Sequence, residues 1–273
     1  MTSIRTAGWR FIDLAALGVN SARAYVAAGL RIVLIPSAVA TVLALLGGGG
    51  AAGLALGQYA AIVVAGIVVI RVTVRVHRRP WRSLIAPDLR IDWRRLAIGA
   101  GAELVILSAQ LGIAHVVGET PWSFTVPAEW PVLLVAALLI PLQAASEEIW
   151  FRGYLTQAFG RVVRSRVLIA LIVGIIFGAL HLGIYGPFTI PYFLMFSLVY
   201  SAVSLRDDRL ELVIGGHAMA NWFAFGTAST MLAGAGIDSS ALRLNAAALG
   251  VMLVHGALFY GLTRLGLRLF SHR

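Results

Sequence analysis

Apolar runs of about twenty residues alternate along the chain with short stretches rich in Arg, Gly or Pro. A membrane-crossing helix needs about 20 mostly apolar residues, because the hydrocarbon layer is about 30 Å thick and a helix rises about 1.5 Å per residue. The runs predict about eight spans, at 27–46, 51–74, 96–117, 131–152, 167–184, 190–205, 211–231 and 244–265. The segment 8–26 is apolar but interrupted by Asp13, Asn20 and Arg23. It is expected to lie in the interface as an amphipathic helix. Pro141 is expected to kink the fourth span. No internal repeat or low-complexity tail stands out, so residues 1–273 are read as a single all-α membrane domain.

Composition supports this and narrows it. Hydrophobic residues make up 59% of the chain and charged residues 12%, against about 25% charged in an ordinary soluble domain. The formal net charge is +10. That balance could suggest nucleic acid, but the arginines fall in short loops between apolar runs, so the partner they imply is the lipid bilayer and not a nucleic acid. Basic clusters follow the second, fourth, sixth and eighth spans, and the N-terminal segment carries Arg5, Arg10 and Arg23. The alternate loops, 47–50, 118–130 and 183–191, are nearly free of Arg, and only Arg243 breaks the pattern. The positive-inside rule then puts both termini on the cytoplasmic side of a multi-pass plasma-membrane protein. The loop 75–95, densest in Arg, is expected to touch lipid headgroups. No signal for cleavage follows a short N-terminal apolar core, so the first span is expected to be retained. The chain has no cysteine, which excludes disulfides, thiolate metal sites and thiol nucleophiles.

Ionisable residues inside spans are expensive, roughly 2.5–3.5 kcal/mol each on insertion scales, and need a partner, a cavity or a function. The sequence places Glu103, His115, Glu147, Glu148, Arg152, His181, His217 and His255 there. Glu148 and Arg152 are four apart, acid first, and can pair on one helix face. Glu147 is turned about 100° from Glu148, so one glutamate is neutralised by Arg152 while the other stays available as a general base. The competing reading is a purely structural ion network. A turn near Arg164 would fold the fourth and fifth spans into a hairpin and set Glu147 level with His181, provided the fourth helix runs on past Arg152. His217 and Asn221, also four apart, share a face. Asn is a donor of the kind that holds an oxyanion. Glu103, His115 and His255 lack such company and read as structural, with Glu103 facing the cavity or pairing with an Arg.

Taken together, Glu147-Glu148-Ile149-Trp150-Phe151-Arg152, then Phe177-Gly178-Ala179-Leu180-His181, then His217-Ala218-Met219-Ala220-Asn221 resemble the CAAX-protease and bacteriocin-processing family of membrane proteins. The resemblance covers roughly residues 131–231. It implies a bundle of about eight transmembrane helices enclosing a polar catalytic chamber that opens to the cytosol, and an intramembrane endopeptidase activity on a peptide or membrane-protein substrate. By analogy, Glu147 activates water with help from His181, His217 and Asn221 hold the scissile carbonyl and oxyanion, and Glu148 and Arg152 support them. The resemblance leaves two chemistries open. Glu147, His181 and His217 could hold zinc with an open fourth position, or the same groups could work on water without metal. The alternatives from other classes are a proton-coupled transporter and a non-enzymatic immunity or scaffold protein. No H-E-x-x-H, G-x-S-x-G or G-x-G-D motif is present.

Overall fold

The computed structural model describes residues 10–46, 51–118, 130–185, 190–231 and 246–270. The Arg-poor loops expected at 47–50, 118–130 and 183–191 fall wholly, mostly and in part outside the described residues, as do Arg5, Arg243 and Arg273. Among the described residues the chain is helical, with no strand. The long helices are α1 (Ala22–Leu46), α2 (Ala51–Arg75), α3 (Trp93–Val116), α4 (Trp130–Glu148), α6 (Arg166–Tyr185), α7 (Ile190–Asp207), α8 (Glu211–Met231) and α9 (Ala246–Phe270), with a short α5 (Thr156–Phe159). The eight long helices coincide with the eight expected spans to within a few residues. Four contain stretches long and apolar enough to cross a membrane on their own, Ala22–Leu43, Gly57–Arg75, Trp93–Val116 and Leu249–Phe270. α6 contributes a shorter apolar stretch, Arg166–Leu182.

Two departures from the sequence reading matter. The segment expected to lie as an interfacial helix is instead a 3-10 turn, Phe11–Leu17, followed by α1 from Ala22. Phe11 and Leu14 are fully buried against the protein. The Asn20 amide donates to the carbonyls of Ala15 and Gly18, at 2.8 Å each, and ties the break between the two elements. Side-chain bonds to local carbonyls compete with helix in this way.

The second departure is in the fourth span. α4 does not stop at Arg152 or stay regular. It passes into a wide π-helical stretch, Ile149–Leu155, and continues as α5 to Phe159. The π turn begins immediately after the two glutamates. Such turns reset the phase of a helix and gather at functional sites.

α8 forms the centre of the arrangement, with α3 and α4 packed on it. α3 and α8 approach closely enough that a Cβ on Gly99 would strike the Leu212 carbonyl, and one on Gly215 the Leu96 carbonyl. Small residues let helix backbones touch where no hydrophobic force drives association in lipid. α2 packs on α1 and α4, α7 on α6, and α9 on α3.

The basic loop between α2 and α3 spends part of its charge internally. Arg79 is buried and donates to Ser83 (3.0 Å) and Gln157 (2.6 Å). Arg95 pairs with Asp207 (2.6 Å), while Arg209 reaches back to Asp88 (2.8 Å) and Glu211 (2.7 Å). Asp92 caps α3, accepting from the Arg94 and Arg95 amides. His77 donates Nδ1–H to the Val19 carbonyl (2.7 Å), so its Nε2 accepts from the Tyr154 hydroxyl (2.9 Å). The loop is thus bolted to the π segment from below.

Candidate active site

Glu147 and Glu148 end α4, and both are buried, Glu148 completely. Arg152, also fully buried, donates Nη1–H to Glu148 Oε1 at 2.8 Å. Its guanidinium lies over the Phe177 ring, 4.6 Å from the centroid, a cation–π contact that supplements the ion pair. His217 of α8 then joins the pair. Its Nδ1 lies 2.7 Å from Glu148 Oε1 and its Nε2 3.4 Å from Glu147 Oε2. One imidazole therefore bridges two adjacent carboxylates. In the doubly protonated form the ring donates at both nitrogens, and the set of two carboxylates, one guanidinium and one imidazolium is neutral. Buried charges need that compensation.

The cluster adjoins a cavity of about 180 Å³ between α2, α4, α6, α7 and α8. Glu147, His181, His217 and Asn221 all line it, with Gln143 beside them. Glu148 and Arg152 do not; they lie behind, holding His217. His181 donates Nδ1–H to the Phe177 carbonyl (2.7 Å) and stacks on Phe193 at 3.9 Å. A neutral ring held so carries its lone pair on Nε2. α4 does continue past Arg152, the condition for Glu147 and His181 to lie level, and both reach the same cavity.

Three contributors were not singled out from the sequence. Gln143 accepts from Asn221 Nδ2 at 2.8 Å and orients that amide. Its signal was present, since it lies four residues before Glu147 on the same face. Gln58 and Tyr59 of α2 also line the cavity, polar positions in the apolar first half of that helix. Glu103 takes no Arg partner; it lies 2.9 Å from His255 Nε2. His115 is exposed in the last turn of α3. Several buried atoms in the core of the site, Glu148 Oε2 and Arg152 Nε and Nη2, have no hydrogen-bond partner. Unsatisfied buried polar atoms are rare and mark functional regions.

The zinc set tested from the sequence is Glu147, His181 and His217. Among the described residues no three His, Cys, Asp or Glu side chains are grouped closely enough to hold a metal ion. Both His217 nitrogens face carboxylates. The side chains as arranged do not form a three-ligand site.

The fold and site define a helical, multi-pass membrane protein with a Glu–Glu–Arg–His–Asn cluster beside one cavity. Residues 126–223 match the family model described as type II CAAX prenyl endopeptidase Rce1-like. That stretch contains all three motifs, so the family resemblance read from them is borne out there. A protein of Bacillus subtilis (strain 168), described as "Uncharacterized protein YyaK", is 31% identical over 162 residues, covering 54% of this chain and 52% of the relative. The chain thus spans about half the length of that relative.

Proposed function

We propose that this protein is an intramembrane endopeptidase that hydrolyses peptide bonds of a peptide or membrane-protein substrate, seated in the plasma membrane with both termini cytoplasmic. The observation that carries the reading is the placement of Glu147 and His217 in contact at the wall of a cavity that also receives His181 and Asn221. A water held by Glu147 in the cavity that His181 also lines gives up a proton to Glu147 as its oxygen attacks the scissile carbonyl carbon. General-base help of this kind contributes about 10²–10⁴ in rate. The negative charge that develops on the carbonyl oxygen meets His217 Nε2–H and Asn221 Nδ2–H. Glu148 holds the ring from its Nδ1 side, and Gln143 holds the amide. Glu147 then passes its proton to the leaving nitrogen as the C–N bond breaks.

Cleavage of a peptide library by detergent-purified protein tests this. Glu147→Gln should lower kcat by about 10³ or more, with His181→Ala and His217→Ala also strongly impaired. Variants that cleave as fast as wild type would remove the assignment. A chelator arm with elemental analysis of the purified protein reads the metal question directly: retained cleavage by metal-free protein supports the water mechanism.

A further inference from the structure

A second cavity, of about 320 Å³, adjoins the catalytic one. The two share Tyr192 and Phe196 of α7 and Ala220 and Ala224 of α8. The two alanines lie one helical turn apart and offer only methyl groups to the common wall. The side cavity is otherwise largely apolar, with Val199, Phe223 and Met252 along it. Glu103 and Gln110 of α3 and His255 of α9 break that lining.

Their hydrogen bonds fix which atoms are already paired. Gln110 Nε2 stands 3.3 Å from His255 Nδ1. An amide nitrogen can only donate, so Nδ1 accepts, and the neutral ring carries its proton on Nε2. That proton points to Glu103 Oε1 at 2.9 Å. Glu103 Oε1 is thus occupied by His255. Glu103 is 1% exposed, and among the described residues its Oε2 has no hydrogen-bond partner. A buried carboxylate oxygen without a donor is costly, and a cation is the group that relieves it.

We propose that this side cavity is a substrate side-chain pocket that takes a basic residue, Lys or Arg. The apolar stem would run past Val199, Phe223 and Met252, and the cationic head would meet Glu103 Oε2. Long basic side chains are built for this, with methylenes that pack and a head that pairs. The inference rests on the peptidase reading and names one feature of its substrate.

The test compares peptides that carry Lys at a fixed distance from the cleaved bond with the same peptides carrying Met. Wild type should favour one Lys series by at least about tenfold in kcat/KM, the size of one charge-assisted hydrogen bond. Glu103→Gln should bring the Lys:Met ratio to near one. The ratio is taken within one preparation, so partial unfolding lowers both rates and leaves it untouched. Met252→Trp, which narrows the cavity without changing the ion pair, should collapse the ratio too. A wild-type ratio near one at every position, or a ratio unmoved by Glu103→Gln, overturns the pocket while leaving the peptidase standing. Binding of fluorescent Lys and Met peptides to Glu147→Gln and to Glu147→Gln/Glu103→Gln separates the two ideas. A Glu103-dependent Lys preference in binding, with no cleavage by wild type, supports the pocket and sinks the peptidase. Equal binding of both peptides to Glu147→Gln sinks the pocket.

Discussion

Two buried polar clusters sit at either end of the same π turn and behave differently. On one side, Glu147 and His217 line a cavity, with Glu148 and Arg152 behind them, and among the described residues Glu148 Oε2 and two guanidinium nitrogens have no partner. On the other, two sets of hydrogen bonds, Val19–His77–Tyr154 and Arg79–Ser83–Gln157, tie the segment before α1 and the loop after α2 to the π segment and α5. Both contain charge and both are buried. Only the first opens on a space where a substrate atom could sit. Burial of a polar group therefore does not by itself mark function; incomplete satisfaction beside a cavity does.

The sharpest way to probe this contrast is to remove the cation behind the catalytic pair. Arg152→Met leaves Glu148 buried without its guanidinium and should destabilise the protein by about 3–5 kcal/mol, read by unfolding in detergent. A loss below about 1 kcal/mol would show that His217 alone compensates the carboxylate. Next in size, Asn221→Ala should lower kcat about 10²-fold or more while barely moving the unfolding midpoint, since only one half-buried amide bond to Gln143 is lost. If stability falls and kcat does not, Asn221 is a strut and not an oxyanion donor. In the second cluster the expectation reverses. Tyr154→Phe removes the donor to His77 Nε2 and should cost about 1 kcal/mol of stability, with kcat within a few-fold of wild type.

The smallest expected effect is a pH dependence. Burial, with the Arg79 charge behind it, holds His77 below the ordinary imidazole value of 6.5, against the pull of the Val19 carbonyl. Tyr25 and Tyr154 are the other polar groups facing the ring. The folded state thus prefers the neutral ring. Below pH 6.5 the unfolded chain takes up a proton that the folded chain refuses, so this contribution is full above that pH and is lost as pH falls. Melting temperatures measured from pH 8 to pH 5.5 should drop more for wild type than for His77→Gln. Parallel curves for the two proteins would show that the ring titrates freely.

The positions of the helices were legible because one physical rule dominates them. A backbone in lipid must satisfy its own hydrogen bonds, so an apolar run of twenty residues becomes a helix whatever its neighbours. The pairing of Glu148 with Arg152 was equally local, a matter of i,i+4 spacing. The site residues Glu147, His181, His217 and Asn221 could be named for the cost of burying them, and the structure lines one cavity with all four. Gln143 was missed because a lone amide in a span is cheap enough to pass unremarked. The N-terminal turn was misread because its apolar residues serve a protein groove, not a membrane surface; composition looks the same in both cases.

What the chain alone determined was the set of spans, the absence of thiol chemistry and the three motifs, all of them set by transfer free energies and spacing along one helix. What only the tertiary structure decided was which nitrogen of His217 meets which glutamate, that Gln143 orients Asn221, and that Glu103 pairs with His255 in the wall of a second cavity. Those contacts join α4 to α8 and α3 to α9, segments 69 to 152 residues apart at the atoms concerned. No local pattern carries information over such distances, because the approach of the helices is set by glycine contacts such as Gly99 and Gly215 and by the phase shift of one π turn.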